Sequence, residues 1–181
     1  MNVTHTSLPE VLVLTPDVYE DDRGFFFESW NQRSFREATG FVGDFVQDNH
    51  SRSVAGVIRG LHYQDPDPQG KLVRVVSGAI WDVAVDIRPS SEHFCQWVGV
   101  ELTADNRRQL WVPPGFAHGF LALSEEADVL YKTTAAYNPS GDRCVRFDDP
   151  SISISWPPGT FRLSDKDRRA PTLMEALGVD Q

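Results

Sequence analysis

Short apolar or alternating runs, each closed by a turn signal, fill most of this chain. Val11 to Leu14, Phe25 to Trp30, Phe45 to Asp48, Val57 to Gln64, Leu72 to Val76 and Ala79 to Ile87 read as strands. So do Trp97 to Leu102, Gln109 to Val112, Gly119 to Leu123, Val129 to Thr134 and Cys144 to Phe147. Turns at Asp65 to Gly70, Ser77-Gly78, Pro89-Ser90, Pro113 to Gly115 and Asn138 to Gly141 punctuate them at the spacing of a sandwich or barrel. Helical spacing is confined to two places. Asn31 can cap a helix that runs to Thr39 and stops at Gly40. A short helix is also predicted over Leu173 to Leu177, at the end of a polar tail. The chain has no internal repeat and no low-complexity segment, so the pattern predicts an all-β fold with a few short helices.

One run breaks the pattern. Val57 to Tyr63 reads as a buried strand but carries Arg59 and His62, which are costly inside unless something pairs with them. Polar residues flank it on both sides: Gln47, Asp48, Asn49, His50 and Ser51 before, Gln69, Gly70 and Lys71 after. Strict alternation puts His62 on the face with Ile58 and Gly60, and Arg59 on the opposite one. Both line one pocket only if the strand twists or bulges, and Gly60 is the natural place for that.

Composition narrows the function. At 181 residues, one domain spanning 1–181 is expected, with 12 prolines and 13 glycines separating short elements. No stretch approaches a membrane span of about twenty apolar residues and the start has no leader pattern, so a cytoplasmic protein with no membrane partner is expected. A net charge of −9 argues against nucleic acid as a partner, because that needs a basic surface. A small anionic ligand is compatible, since Arg23, Arg59, Lys71 and Arg74 lie near the polar clusters. Cys95 and Cys144 lack CxxC spacing and read as buried thiols.

The chemistry that fits best is acid–base. His62 can take and return a proton near neutrality, where an imidazole ordinarily titrates at about 6.5. Tyr131 sits in an apolar strand as a buried phenolic acid, and Lys71 with Arg59 can stabilise developing negative charge. That set suits proton abstraction beside a carbonyl. Each residue also has an ordinary structural role: a satisfied strand histidine, a packed tyrosine, edge lysine and arginine, and, at Asp165 to Asp167, a solvated charge run. Only their joint occurrence therefore points to catalysis. A metal site is disfavoured, because the two histidines one residue apart and the glutamate of a metal-binding barrel are missing. Nucleophilic catalysis lacks a GxSxG or a cysteine in a basic setting.

Pro114-Gly115-Phe116-Ala117-His118 resembles the second cupin motif, with Ala122 where its asparagine is usual. Further stretches extend the likeness: Asp22-Arg23-Gly24-Phe25 with Glu28, Gln47 to Ser51, Arg59 to Gln64, Gly70 to Arg74, Asp82 to Asp86, Tyr131-Lys132, and Ser164 to Asp167. In order and spacing they closely resemble the dTDP-4-dehydrorhamnose 3,5-epimerase family over nearly the whole chain. The resemblance implies a cupin-type jelly-roll β-sandwich or barrel, no metal and no cofactor. It also implies a homodimer to which an N-terminal segment of about residues 1–50 contributes. The implied reaction inverts C3 and C5 of dTDP-4-dehydro-6-deoxy-D-glucose to give dTDP-4-dehydro-L-rhamnose. By the same resemblance His62 is the base, Asp167 its partner, Tyr131 the acid on the opposite face, and Lys71 the support for the enolate oxygen. Arg23, Glu28, Gln47, Asp48, Asn49, Arg59, His118 and Lys166 are implied to hold the sugar and diphosphate, and Tyr137 to stack on thymine. Asp142 stands where the family often has glutamate. The rival readings are a C3-only or C5-only epimerase, a non-catalytic sugar-nucleotide binder, and a metal-dependent cupin.

Overall fold

The computed structural model describes residues 1–178. Two antiparallel sheets face one another, in agreement with the all-β expectation. Six strands form the first sheet: β1 (Asn2–His5), β2 (Leu12–Thr15), β5 (Gln47–Val54), β7 (Lys71–Ser77), β10 (Gln109–Val112) and β12 (Glu126–Thr133), in the order β1-β2-β10-β7-β12-β5. The second holds β6 (Ile58–Gln64), β8 (Ala79–Asp86), β9 (Trp97–Thr103), β11 (Phe116–Ala122) and β13 (Asp142–Cys144), ordered β13-β6-β11-β8-β9. Chain neighbours such as β6 and β7 lie in different sheets, as in a jelly roll. A separate hairpin, β3 (Tyr19–Asp21) with β4 (Gly24–Phe26), stands outside both. No helix among the described residues is long and apolar enough to cross a membrane.

Period-two alternation builds three apolar layers. Inward residues such as Val73, Val75, Ile80, Ala84, Leu110, Phe120 and Val129 fill the space between the sheets. On the outer side of the five-stranded sheet, Leu61, Val83, Val85 and Ala117 pack with Val145, Ile152 and Leu173. Across the outer side of the six-stranded sheet, Leu12, Leu14, Leu72 and Trp111 meet Phe35 of α1 (Gln32–Thr39). Helix α1 forms as the sequence predicts. Asn31 accepts from the N–H groups of Arg33 and Ser34, and Gly40, at φ +71°, donates its N–H to the Arg36 carbonyl. Burial of Phe35, its one buried side chain, contributes roughly 2–3 kcal/mol.

Several boundaries differ from the sequence reading. The strand over Phe25 to Trp30 shrinks to Gly24–Phe26, whose aromatics find no core: Phe25 and Phe26 are exposed, the latter 68%, while Trp30 packs beside Phe35. β5 extends to Val54 although Asn49 to Ser53 carry no apolar alternation. β1, β3 and the helix α2 (Asp165–Arg168) were not foreseen, whereas α3 (Leu173–Leu177) is where it was expected. The cysteines, expected to be buried, are half-buried and free, and burial pushes both thiols up.

Candidate active site

A cavity of about 420 Å³ opens at one end of the sandwich, lined by both sheets. From the six-stranded sheet come Gln47, Asn49 and Ser51 of β5, Lys71 of β7 and Tyr131 of β12. From the five-stranded sheet come Arg59, His62 and Gln64 of β6, His118 of β11 and Asp142 of β13, with Tyr137 and Lys166 at the rim. Arg59 and His62 share this lining because β6 carries one extra residue. His118 pairs with His62 but Phe120 with Arg59, so two steps on β11 face three on β6. Gly60 makes the bulge feasible: its φ is +131°, and a Cβ there would meet the Gly119 Cα at 2.5 Å. Leu61 consequently turns outward into the apolar layer, while Tyr63 packs against that layer and also borders the cavity.

His62 Nε2–H donates to Asp167 Oδ1 at 2.6 Å. Asp167 is only 4% exposed and is carried by α2, which Ser164 caps by accepting from the Asp167 N–H; the Ser164 hydroxyl also donates to Asp167 Oδ2. Burial alone pushes this carboxyl up, but the bond and charge of His62, with Ser164 and Lys166, bring it below its ordinary value. An ionised Asp167 fixes the proton on Nε2 and leaves Nδ1 as the free basic position. Burial pushes the Tyr131 phenol up, with Arg59 opposing, so it stays a proton donor through neutral pH.

Lys71 is 7% exposed, and burial lowers its pKa to about 8 against the pull of Asp82 and Asp142. Its Nζ donates to the His62 carbonyl at 3.2 Å. Arg59 is aimed by two bonds, to Ser53 Oγ at 2.9 Å and the Arg52 carbonyl at 3.0 Å. At the rim, Asp142 pairs with Lys166 and accepts from the Tyr137 hydroxyl at 3.3 Å, and Gln47 Oε1 accepts from the Tyr137 N–H. Arg59, Lys71 and Lys166 outnumber the one lining carboxylate, Asp142, so a chain of net charge −9 still offers an anion a favourable site.

Most of this lining is legible in the amino-acid sequence. Three candidates fall elsewhere. Asp48 is on the opposite face of β5 from Asn49 and pairs with Lys132 at 2.9 Å, because neighbouring strand residues point to opposite sides. Arg23 is exposed and paired with Asp21, and Glu28 accepts from Asn31; both lie outside the cavity of their own chain. Conversely, Ser51, Tyr63, Gln64 and Gln69 line it without having been assigned a role. Among the described residues no group of three or more His, Cys, Asp or Glu side chains is arranged to hold a metal ion.

Known proteins with this arrangement decide the family. A sequence model of the dTDP-4-dehydrorhamnose 3,5-epimerases matches residues 5–175. The chain belongs to the dTDP-4-dehydrorhamnose 3,5-epimerase family. It is 53% identical over 177 residues to the dTDP-4-dehydrorhamnose 3,5-epimerase of Pseudomonas aeruginosa, covering 97% of this chain and 98% of the relative. The Escherichia coli enzyme of the same name is 53% identical over 179 residues, 98% of this chain and 97% of that one. A crystal structure of the dTDP-6-deoxy-D-glucose-3,5-epimerase of Legionella pneumophila, in complex with dTDP-4-keto-L-rhamnose, matches with a TM-score of 0.94 at 48% identity. That match covers 95% of this chain and 92% of the other. Membership of the 3,5-epimerase family makes the chain an isomerase on a cupin-like β-sandwich.

Proposed function

We propose that the cavity binds dTDP-4-dehydro-6-deoxy-D-glucose and inverts C3 and C5 by proton transfer between two faces of the ring. The observation that carries this reading is the approach of His62 and Tyr131 from opposite sheets to one cavity. The C4 ketone acidifies the hydrogens on both neighbouring carbons. His62, oriented by Asp167, takes a proton from one face at Nδ1, electron density moves onto the C4 oxygen, and the Lys71 ammonium stabilises that enolate. Tyr131 then delivers a proton from the other face, which inverts the carbon. Repetition at the second carbon completes the change, and neither a metal nor an organic cofactor is needed. Arg59 and Lys166 supply charge for the diphosphate, and Tyr137, half-exposed at the rim, offers its ring to the base.

A homodimer completes the reading. The β3–β4 hairpin presents Tyr19, Phe25 and Phe26 to solvent together with Arg23, an arrangement suited to a neighbouring subunit. Arg23 and Glu28 would then serve the partner's cavity instead of their own.

The test is hydrogen exchange in deuterated water, followed by NMR of the sugar. His62→Ala is expected to abolish exchange at C3 and C5, and Tyr131→Phe to retain exchange while losing inversion. Ordinary exchange in His62→Ala would remove the base from this mechanism.

A further inference from the structure

One buried carboxylate beside the cavity has no part in the proton transfers above. Asp82, on β8, is 0% exposed. Its Oδ1 accepts from His118 Nε2 at 2.7 Å, while its Oδ2 is buried with no hydrogen-bond partner among the described residues. Burial of a carboxylate oxygen without a donor is unfavourable, and such exceptions call for a functional explanation. The strand itself raises the same question, because Asp82 interrupts Ala79, Ile80, Trp81, Val83, Ala84 and Val85.

Register adds a second observation. β11 lies between β6 and β8, and His118 is directly opposite His62. Two imidazoles therefore stand side by side in the cavity, each with Nε2 held by a buried aspartate. Their aspartates differ. Asp167 is fully engaged by His62 and Ser164, whereas Asp82 keeps an oxygen free of any hydrogen bond, and among charged groups it is the strongest influence on Lys71.

Resting on the epimerase reading above, we propose that Asp82 is a positioning residue. It fixes His118 with Nε2–H turned inward, and it supplies the negative charge that faces the Lys71 ammonium where the enolate oxygen forms. Lys71 then remains a donor to that oxygen although it is almost wholly buried. His118 Nδ1 is left as an acceptor for a sugar hydroxyl. The titratable and charged groups facing Lys71 are Asp82 from β8, Asp142 from β13 and Lys166 from α2, with His62, His118 and Tyr131 in the same cavity. Only Asp82 among them is a wholly buried carboxylate.

Asp82→Asn in the full chain, assayed against pH with the 4-keto sugar nucleotide, tests this. Turnover is expected to fall about 100-fold with KM changed by less than about threefold. The alkaline limb of kcat/KM is expected to move down by about one pH unit or more, since Lys71 loses its counter-charge. In 15N spectra, the His118 ring nitrogens are expected to lose their fixed tautomer. An unmoved alkaline limb overturns the proposal whatever the rate, because a merely structural aspartate would not set it. If the asparagine variant fails to fold, Asp82→Ser, uncharged and smaller, gives the same test by the same limb. His62→Ala run in parallel separates the two failures. Exchange that survives in it removes the base assignment, whereas an inert His62→Ala beside a wild-type profile for Asp82→Asn removes only the present proposal.

Discussion

Along single strands of this sandwich, one end is built for packing and the other for chemistry. On β7 the inward residues run Val75, Val73, Lys71; on β12 they run Ala127, Val129, Tyr131; on β11 they run Ala122, Phe120, His118. In each strand the change from core to cavity happens within two residues, and the backbone ladder continues across it. The packed end gains free energy from burial and has no polar group to satisfy. The cavity end buries Lys71, Asp82 and Asp167, each of which must find a partner to be tolerated. Stability and reactivity are thus segregated along the strand axis and joined by shared hydrogen bonds.

That division makes distinct demands on variants at the two ends. The largest stability effect is expected at the packed end. Leu110→Ala, fully buried between Val73 and Val13 in the register, should lower unfolding free energy by about 2–5 kcal/mol in denaturant melts. Turnover per folded molecule should be unchanged; a loss of chemistry there would break the contrast. Lys71→Met should do the reverse, lowering turnover about 100-fold while stabilising the fold by about 1–3 kcal/mol at neutral pH. The sign follows from its burial. The folded value of about 8 lies below the ordinary lysine value of 10.5, so between those pH values the unfolded chain binds more protons and stability rises with pH. Melts from pH 7 to 10.5 should show this rise in the wild type and its absence in Lys71→Met. Ser53→Ala, at the boundary, should have the smallest effect: about 1 kcal/mol from the lost bond to Arg59, with KM raised about fivefold and turnover kept.

The packed end is the part of the molecule that its sequence discloses most readily. Gln109–Val112 and Ala79–Asp86 are legible because apolar residues mark their strands, and α1 because Asn31 and Gly40 bracket it. The cavity end hides its strands, since a face that lines a polar pocket has no hydrophobic alternation. β5 illustrates this: Gln47, Asn49 and Ser51 face the cavity while Asp48, His50 and Arg52 face outward, so no period is visible. The conflict between Arg59 and His62 was readable as a demand for a bulge at Gly60, and the register shift meets it. Asp167 looked like one member of a solvated charge run. The serine three residues before it, which caps α2, was the available sign that a helix begins there and turns one carboxylate inward. Asp82 offers the same clue as His62, an ionisable residue inside an apolar strand. The hairpin aromatics could not be placed by period at all, because Tyr19, Phe25 and Phe26 are exposed and join no core of their own chain.

Asp167 lies 105 residues beyond the imidazole it holds. During translation, both sheets leave the ribosome before that carboxylate does. A nascent chain therefore passes through a stage that has most of the cavity lining but not the carboxylate that holds the His62 ring. On the proposed mechanism turnover requires α2 to be in place, so a variant truncated before α2 is expected to bind the sugar nucleotide without converting it, which binding and turnover assays on that variant would check.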